Sequence, residues 1–433
     1  MRKQIVIRMG GWLIVACMAT TPLYAETGSP TALEAVVREV LEHNPELKLY
    51  EADIAVATGG RTTAGLWANP EVSGALGRKR VWNEANALTG KGGAGELSVT
   101  QLFEWPGRIE LRKAMADRDI ELAELRLEQF RAGLAARAKI AAYAVFAARE
   151  KAVAARETAG HLLALREVLI QRGQAGLTPL LETRVIEAIE LNLQRNAGEA
   201  SLAAQAALFD VNQLRGAAPD AEFSIGPMPL VFRPIARSRD ELVALARSND
   251  FLVRVRALER ARQGVRVDLA KHERFPAVSA GPFMSEEQAG DRERVLGAAV
   301  SLPLPLWNRN QGNLDAAQAQ RLQADTSLDL AQRDVERRVI EAAVIYDTKL
   351  REMAKWQPDS IQQLREAAEL ADRHYRLGAV PVSTYLELQT QYVETLGGVL
   401  DTKQEALEAA TQLELLTATP LSLADTVPAE EMP

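Results

Sequence analysis

The stretch RIELRKAMADRDIELAELRLEQFRAGLAARAKIAAYAVFAAREKAVAARETAGHLLALREVLIQR, residues 108–172, contains no proline and only two glycines, Gly133 and Gly160. Ala, Leu, Glu and Arg fill it, and nothing inside it acts as a helix stop. As one helix it rises about 98 Å, against a mean of about 11 residues per helix in globular proteins. A rod of that length does not fit inside a compact domain. The fold must be tall and narrow.

Working outward from that rod, the chain repeats itself once, at a spacing of about 205 residues. Leu41-Glu42-His43-Asn44-Pro45 answers to Ala246-Arg247-Ser248-Asn249-Asp250, and Pro70-Glu71-Val72-Ser73 answers to Pro276-Ala277-Val278-Ser279. Gly107 is matched to Gly312, and Gly173, followed by Leu181-Glu182, to Gly378, followed by Leu386-Glu387. The expected organisation is a first repeat over residues 26–215, a linker over 216–236, a second repeat over 237–420 and a tail over 421–433. Each repeat reads as a helix, a β-hairpin, a long helix and a further helix, a mainly α fold with a small β part. In the first repeat these are a helix from Thr31 to Gly65, strands Pro70–Leu76 and Glu96–Phe103 around a Gly-rich loop (Gly77–Gly95), and the rod. A turn at Gly173–Thr178 then leads to a helix from Pro179 to Leu214. In the second, the strands are Pro276–Met284 and Val295–Leu306, the long helix starts near Asn313, and Pro358 kinks it. The two shorter helices of each repeat, stacked end to end, can flank the long one.

The strand runs carry one apolar face. Leu296, Ala298, Val300, Leu302, Leu304 and Leu306 alternate with smaller residues, and Leu97, Val99 and Phe103 alternate with Ser98 and Thr100. Runs of about 9–11 residues with this period suit strands that cross an outer membrane. A soluble β-layer against the helices is the other reading. Pro303 and Pro305 lack ladder donors and belong at an edge or rim. Four strands cannot close a barrel and lipid forbids open edges, so membrane strands require other copies of the chain. Two, three or four copies all satisfy that arithmetic. Trp105 and Trp307 stand where strand passes into helix, a place for membrane-interface aromatics or for packed corner residues. Pro106 suits the first turn of the rod.

Composition narrows the function. The chain has 433 residues, 47% hydrophobic and 25% charged, with a net charge of −7, so its surface is not that of a nucleic-acid binder. One cysteine and four histidines supply no disulfide framework and make a His-built metal centre or a resident cofactor unexpected. HExxH, G-x-S-x-G and phosphate-binding glycine loops are absent from the sequence, and no residue offers itself as catalytic. Residues 1–25 follow the order of a secretory signal peptide, with Arg2, Lys3 and Arg8 before an apolar run and Ala25 before Glu26. Ile14-Val15-Ala16-Cys17 alternatively resembles a lipoprotein box, which makes Cys17 a possible lipidation site. Either route exports the chain. No later apolar run is long enough for a membrane-spanning helix.

The duplicated order, Tyr375-Arg376-Leu377-Gly378 leading to Tyr385-Leu386-Glu387, and both repeats together resemble the outer-membrane factor family, the TolC-type ducts of tripartite efflux and type I secretion. Val99-Thr100-Gln101-Leu102-Phe103-Glu104-Trp105-Pro106-Gly107-Arg108 is similar to the strand-to-helix junction of its heavy-metal cation efflux branch. The resemblance implies a homotrimer with a 12-stranded barrel in outer-membrane lipid, continued by a periplasmic α-helical barrel. It implies a passive duct and not an enzyme. Its partners would be a periplasmic adaptor (membrane fusion) protein and an inner-membrane pump of the resistance-nodulation-division type. It further implies that the helical hairpin ends, here the turns at Gly173 and Gly378, close the tube. Glu387 falls at a typical acidic position of that aperture, Glu182 is its repeat equivalent, and Thr384 stands where another carboxylate is common. A ring of Glu387 favours cations, whereas the plain reading of Glu387 and Glu182 is a solvated helix surface. Multidrug efflux and type I secretion are alternative uses of the same duct. A periplasmic coiled-coil scaffold or adaptor is the alternative of another class, and it leaves the strand runs unexplained.

Overall fold

The computed structural model describes residues 33–174, 180–357 and 360–426. Residues 1–32 with Cys17, residues 175–179, Pro358 and Asp359, and the residues beyond 426 lie outside the described residues, and with them the expectations of a signal peptide and of most of the turn after Gly173. The first half contains α1 (Leu33–His43), α2 (Leu47–Ala64), β1 (Glu71–Trp82), β2 (Leu88–Phe103), α3 (Arg108–Gln174) and α4 (Leu180–Arg215). A short strand, β3 (Leu230–Phe232), follows. The second half contains α5 (Arg239–Asn249), α6 (Phe251–His272), β4 (Val278–Gln288), β5 (Arg292–Ser301), α7 (Gln311–Met353), α8 (Ser360–Arg376) and α9 (Val382–Thr417), and β6 (Ala424–Thr426) ends the described chain.

The proline-free stretch forms a single helix of 67 residues, α3. It is flanked by α1, α2 and α4 and by α6 and α9, which in turn pack on α7, while α8 packs on α9. The helices therefore form a layer ordered α2 and α4, then α3, then α6 and α9, then α7 and α8. No single ball of core exists. Separate clusters are strung along the layer, one around Leu134, Ala138 and Tyr143, one around Val335, Ala343 and Tyr346, and one around Leu162, Ile186 and Tyr385. Buried alanines, Ala138, Ala142, Ala147 and Ala154 among them, allow α3 to lie close to its neighbours. The outer members of the layer keep exposed apolar residues, Leu49 and Val56 on α2, Leu191 and Leu202 on α4, and Leu322 and Leu330 on α7.

The helix expected over residues 31–65 is two helices, broken at Pro45, which has no N–H to continue the ladder. Asn44 stabilises the break, donating to the Leu214 carbonyl at 2.9 Å and accepting from the Glu46 N–H at 2.9 Å. The same position in the second half is another break. There Asp250 caps α6, accepting from the Val253 N–H at 3.0 Å, and the capping box of Ser238 and Glu241 starts α5. Burial raises the Asp250 pKa. Where a kink at Pro358 is expected, α7 ends at Met353 and α8 starts at Ser360, with Pro358 itself outside the described residues.

The four long strands form one antiparallel sheet in the order β1-β2-β4-β5. They differ from the expected runs. The stretch read as a Gly-rich loop, Gly77–Gly95, is mostly strand, leaving only residues 83–87 as the turn. Local propensity disfavours glycine in strands, but cross-strand pairing overrides it, and close approach of backbones demands it. A Cβ on Gly92 would lie 1.2 Å from the Gln288 carbonyl oxygen, and one on Gly281 would lie 1.8 Å from that of Val99. At its other end β5 stops at Ser301, so Pro303 and Pro305 lie beyond the ladder where no donor is needed. Pro282 does sit within the central strand β4, and the β2–β4 register skips Val99 and Thr100 opposite it.

The left-handed residue that opens α7 is Asn310 (φ 62°), matching Gly107 (φ 89°) ahead of α3, whereas Gly312 lies inside the helix. Within the linker, β3 pairs with β6, which joins residues 230–232 to residues 424–426. The Tyr346 hydroxyl lies 2.7 Å from the Arg233 carbonyl and 2.8 Å from that of Leu423, donating to one of them at a time. Desolvation pushes its pKa up to about 12.

Candidate functional site

Pairing register divides the sheet into two faces of opposite character. Val72, Leu76, Leu97, Val99, Met284, Leu296 and Val300 share one face, with Leu76 96% and Leu296 80% exposed. The other face carries Ser73, Lys79, Glu96, Ser98, Ser279, Ser285, Glu287 and Glu293. Small residues on β2, Gly92 and Ala94, let Lys79 of β1 reach across and pair with Glu287 of β4. Phe283 covers the flat backbone of Gly297 on the neighbouring strand, where a Cβ would lie 2.7 Å from its ring. One face therefore suits hydrocarbon and the other suits water. The outer strands, β1 and β5, each leave one edge unpaired.

Where sheet meets helices, the chain is tied by side-chain bonds to backbone. Arg108 at the start of α3 donates to the Phe275 carbonyl at 2.5 Å and the His272 carbonyl at 3.2 Å. Arg112 pairs with Glu104 at 2.5 Å, and Asn310 donates to the Ala270 carbonyl at 3.0 Å. Trp105 stacks on Phe275 with ring centroids 5.1 Å apart, so it is partly packed. Trp307 is 88% exposed and touches no aromatic partner among the described residues.

At the far end of the layer, Gly378 (φ 74°) ends α8. Its N–H donates to the Tyr375 carbonyl and the Ala379 N–H donates to that of His374, both at 2.9 Å. That double bond closes the helix in a Schellman turn, which needs the left-handed glycine. Tyr375 stacks on Tyr385 at 5.4 Å, and Gln389 donates to the buried Ala368 carbonyl at 2.9 Å, fixing α8 on α9. Burial raises the pKa of the Tyr385 hydroxyl. The opposite side of α9 is left open. Thr384 and Glu387 are exposed one turn apart, and Gln391 donates to Glu387 at 3.1 Å. In the other hairpin, α3 continues through Gly173 to Gln174, so Gly173 is helical rather than the turn itself. Glu182 lies in the first turn of α4, and its side chain lies outside the described residues. Ala159, Leu162, Leu165 and Ile186 of α3 and α4 share one core cluster with Tyr375, Tyr385 and Leu386 of α8 and α9. Both hairpins thus end at the same level.

A charged pair in this region escaped the sequence reading. Glu190 is 2% exposed, lies 3.1 Å from Arg166 and accepts from Gln194 at 2.7 Å. Its only sequence signal is a carboxylate three residues from Glu187, indistinguishable from any solvated helix charge. Among the described residues no three His, Cys, Asp or Glu side chains are placed to hold a metal ion, and no helix is long and apolar enough to cross a membrane.

Residues 242–419 match the outer membrane efflux protein family. The chain is 25% identical over 297 residues to the cobalt-zinc-cadmium resistance protein CzcC of Cupriavidus metallidurans, covering 67% of each chain. Its fold is similar to that of the Campylobacter jejuni CmeC outer membrane channel, with a TM-score of 0.73 at 14% identity over 96% of this chain and 94% of that one. It is also similar to CusC, which forms a transmembrane channel, with a TM-score of 0.68 at 14% identity over 92% and 95% of the two chains.

Proposed function

We propose that the chain, whose residues 242–419 match the outer membrane efflux protein family, is an outer-membrane channel rather than an enzyme and serves as the exit duct of a tripartite efflux system for heavy-metal cations. The single observation that carries the duct is the four-stranded sheet with one apolar face, one polar face and two unpaired edges. Unpaired edges are not tolerated in hydrocarbon, so copies of the chain must join β5 of one to β1 of the next. Three copies give a 12-stranded barrel, and the exposed apolar residues on α2, α4 and α7 then bury each other between protomers. Apolar side chains face lipid, the polar face lines the bore, Trp307 sits at the membrane interface, and the helical layer encloses the periplasmic tube. Thr384 and Glu387 face the aperture at its far end. The duct is passive, and a periplasmic adaptor and an inner-membrane pump deliver the cargo.

The metal assignment rests on the similarity to the cobalt-zinc-cadmium resistance protein and on the acidic balance of the bore face, where Glu96, Glu287 and Glu293 outnumber Lys79. Survival of a deletion strain across graded zinc, cadmium, cobalt, nickel, copper and silver, beside dyes and antibiotics, tests it. Selective metal sensitivity restored by the intact gene is the expected result. Sensitivity to dyes and antibiotics alone overturns the metal assignment and moves the duct to multidrug efflux.

A further inference from the structure

We propose that a belt of cations beside the sheet's hairpin turns binds the phosphate groups of the phosphorylated glycolipid in the outer leaflet. The proposal rests on the outer-membrane reading above. Arg78 and Arg80 of β1, Lys91 of β2, and Arg292 and Arg294 of β5 all lie on the lipid-facing side of the sheet. Pairing sets Arg78 opposite Gly93 and Arg292 opposite Gln288, each just past the last β2–β4 pair, Ala94 with Glu287, and the next row inward holds Leu76, Gly95, Glu286 and Arg294. Immediately toward the helices come the rows of Leu97, Met284 and Leu296, then of Val72, Val99 and Ala298. The belt thus begins where the apolar band ends. Because the helices mark the periplasmic end, it stands at the outer leaflet.

The belt is not neutralised from within. Its one carboxylate, Glu286, is shared by Arg292 and Arg294, the latter at 2.8 Å. Arg78, Arg80 and Lys91 have no acidic partner among the described residues. This cationic face sits on a chain with a net charge of −7, and the same rows of the bore face carry Glu287 and Glu293, so the bias belongs to the lipid side alone. Barrel closure sharpens it. Joining β5 to β1 of the next copy sets Arg292 and Arg294 beside a strand carrying Arg78 and Arg80. Like charges on adjacent strands repel, and a phosphate wedged between them with bidentate arginine bonds converts that repulsion into binding. A single phosphate bridges two strands, and a glycolipid with two phosphates bridges two protomers.

The test titrates the detergent-extracted wild-type protein with bisphosphorylated lipid A and counts bound adducts by native mass spectrometry. Saturable binding is expected. The combined variant Arg78→Gln, Arg80→Gln, Lys91→Gln should bind on the order of 100-fold more weakly. Dephosphorylated lipid A should bind no better than phosphatidylcholine, and phosphatidylglycerol should bind more weakly than lipid A. A second variant, Arg78→Lys with Arg80→Lys, keeps the charge but loses the bidentate bonds; it should bind more weakly than wild type and more tightly than the glutamine variant, which shows that the positions tolerate substitution. Equal binding by wild type and the glutamine variant overturns the proposal, as does phosphatidylglycerol binding as well as lipid A. Fractionation separates the two readings. Wild-type chain in the soluble fraction overturns both, whereas a detergent-extracted oligomer that binds no lipid A overturns this one alone.

Discussion

Replacing Arg166 by methionine exposes how the α3–α4 hairpin is held. The Glu190 carboxylate is 2% exposed and has two donors, Arg166 at 3.1 Å and Gln194 at 2.7 Å. Without the guanidinium, a buried charge keeps one neutral amide. Removing one partner from a fully buried pair costs about 3–5 kcal/mol. The Arg166 side chain is 36% exposed, so water screens part of its interaction, and about 2 kcal/mol is the better figure. An assembled channel in detergent is not expected to unfold in one step, so the assay must read the hairpin locally. Hydrogen exchange followed by mass spectrometry does so, and about 2 kcal/mol of local destabilisation lowers protection roughly 30-fold in α3 and α4 around Leu162 and Ile186. Arg166→Met combined with Glu190→Leu removes both charges and should return protection to within about threefold of wild type, because an apolar pair of similar volume is close to neutral there. Unchanged protection in Arg166→Met, or a double variant that exchanges as fast as the single one, refutes the reasoning.

Three further perturbations follow from the same structure. Gly92→Ala drives a Cβ into the Gln288 carbonyl, while Gly93, on the opposite face, has nothing within 4 Å; heat-resistant oligomer on a gel should be lost in the first variant and kept in Gly93→Ala. Tyr346→Phe removes the hydroxyl that binds the Arg233 and Leu423 carbonyls, and limited proteolysis should then release the C-terminal segment sooner, consistent with a loss of about 1 kcal/mol. Burial lowers the Lys403 pKa, so the folded state disfavours its charge. Its folded value lies below the unfolded one. The penalty is therefore fully present at neutral pH and fades as pH rises toward the unfolded value of about 10.4. Lys403→Met should raise the melting temperature at pH 7, with the gain shrinking at pH 10. An equal gain at both pH values contradicts this cause.

The helical half of the architecture was legible because helix length is local information: an unbroken run without proline between Arg108 and Arg172 leaves no other conformation of comparable stability. The strands were harder. Gly90, Gly92, Gly93 and Gly95 look like a loop to any propensity argument, and it is their pairing with Val81, Lys79, Arg78 and Leu76 of β1 that makes them strand. The pairing of β3 with β6 joins residues nearly half the chain apart, and neither short apolar run announces its partner. Of the residues proposed for the aperture, Thr384 and Glu387 share an exposed face of α9, as their spacing implies, but the burial of Glu190 depends on how α4 lies on α3. The alternation Arg78-Lys79-Arg80 and Arg292-Glu293-Arg294 was visible all along. The register adds that the two arginines of each triplet share the apolar face of the sheet, while Lys79 and Glu293 lie on the other.

The most direct test of the central claim is the mass of the detergent-extracted wild-type protein by native mass spectrometry. Three copies of the mature chain are predicted, the number that the family resemblance implies among the two, three or four that would join every β5 to a β1 and leave no edge in the bilayer. A stable monomer, or a species that needs no detergent, contradicts the account.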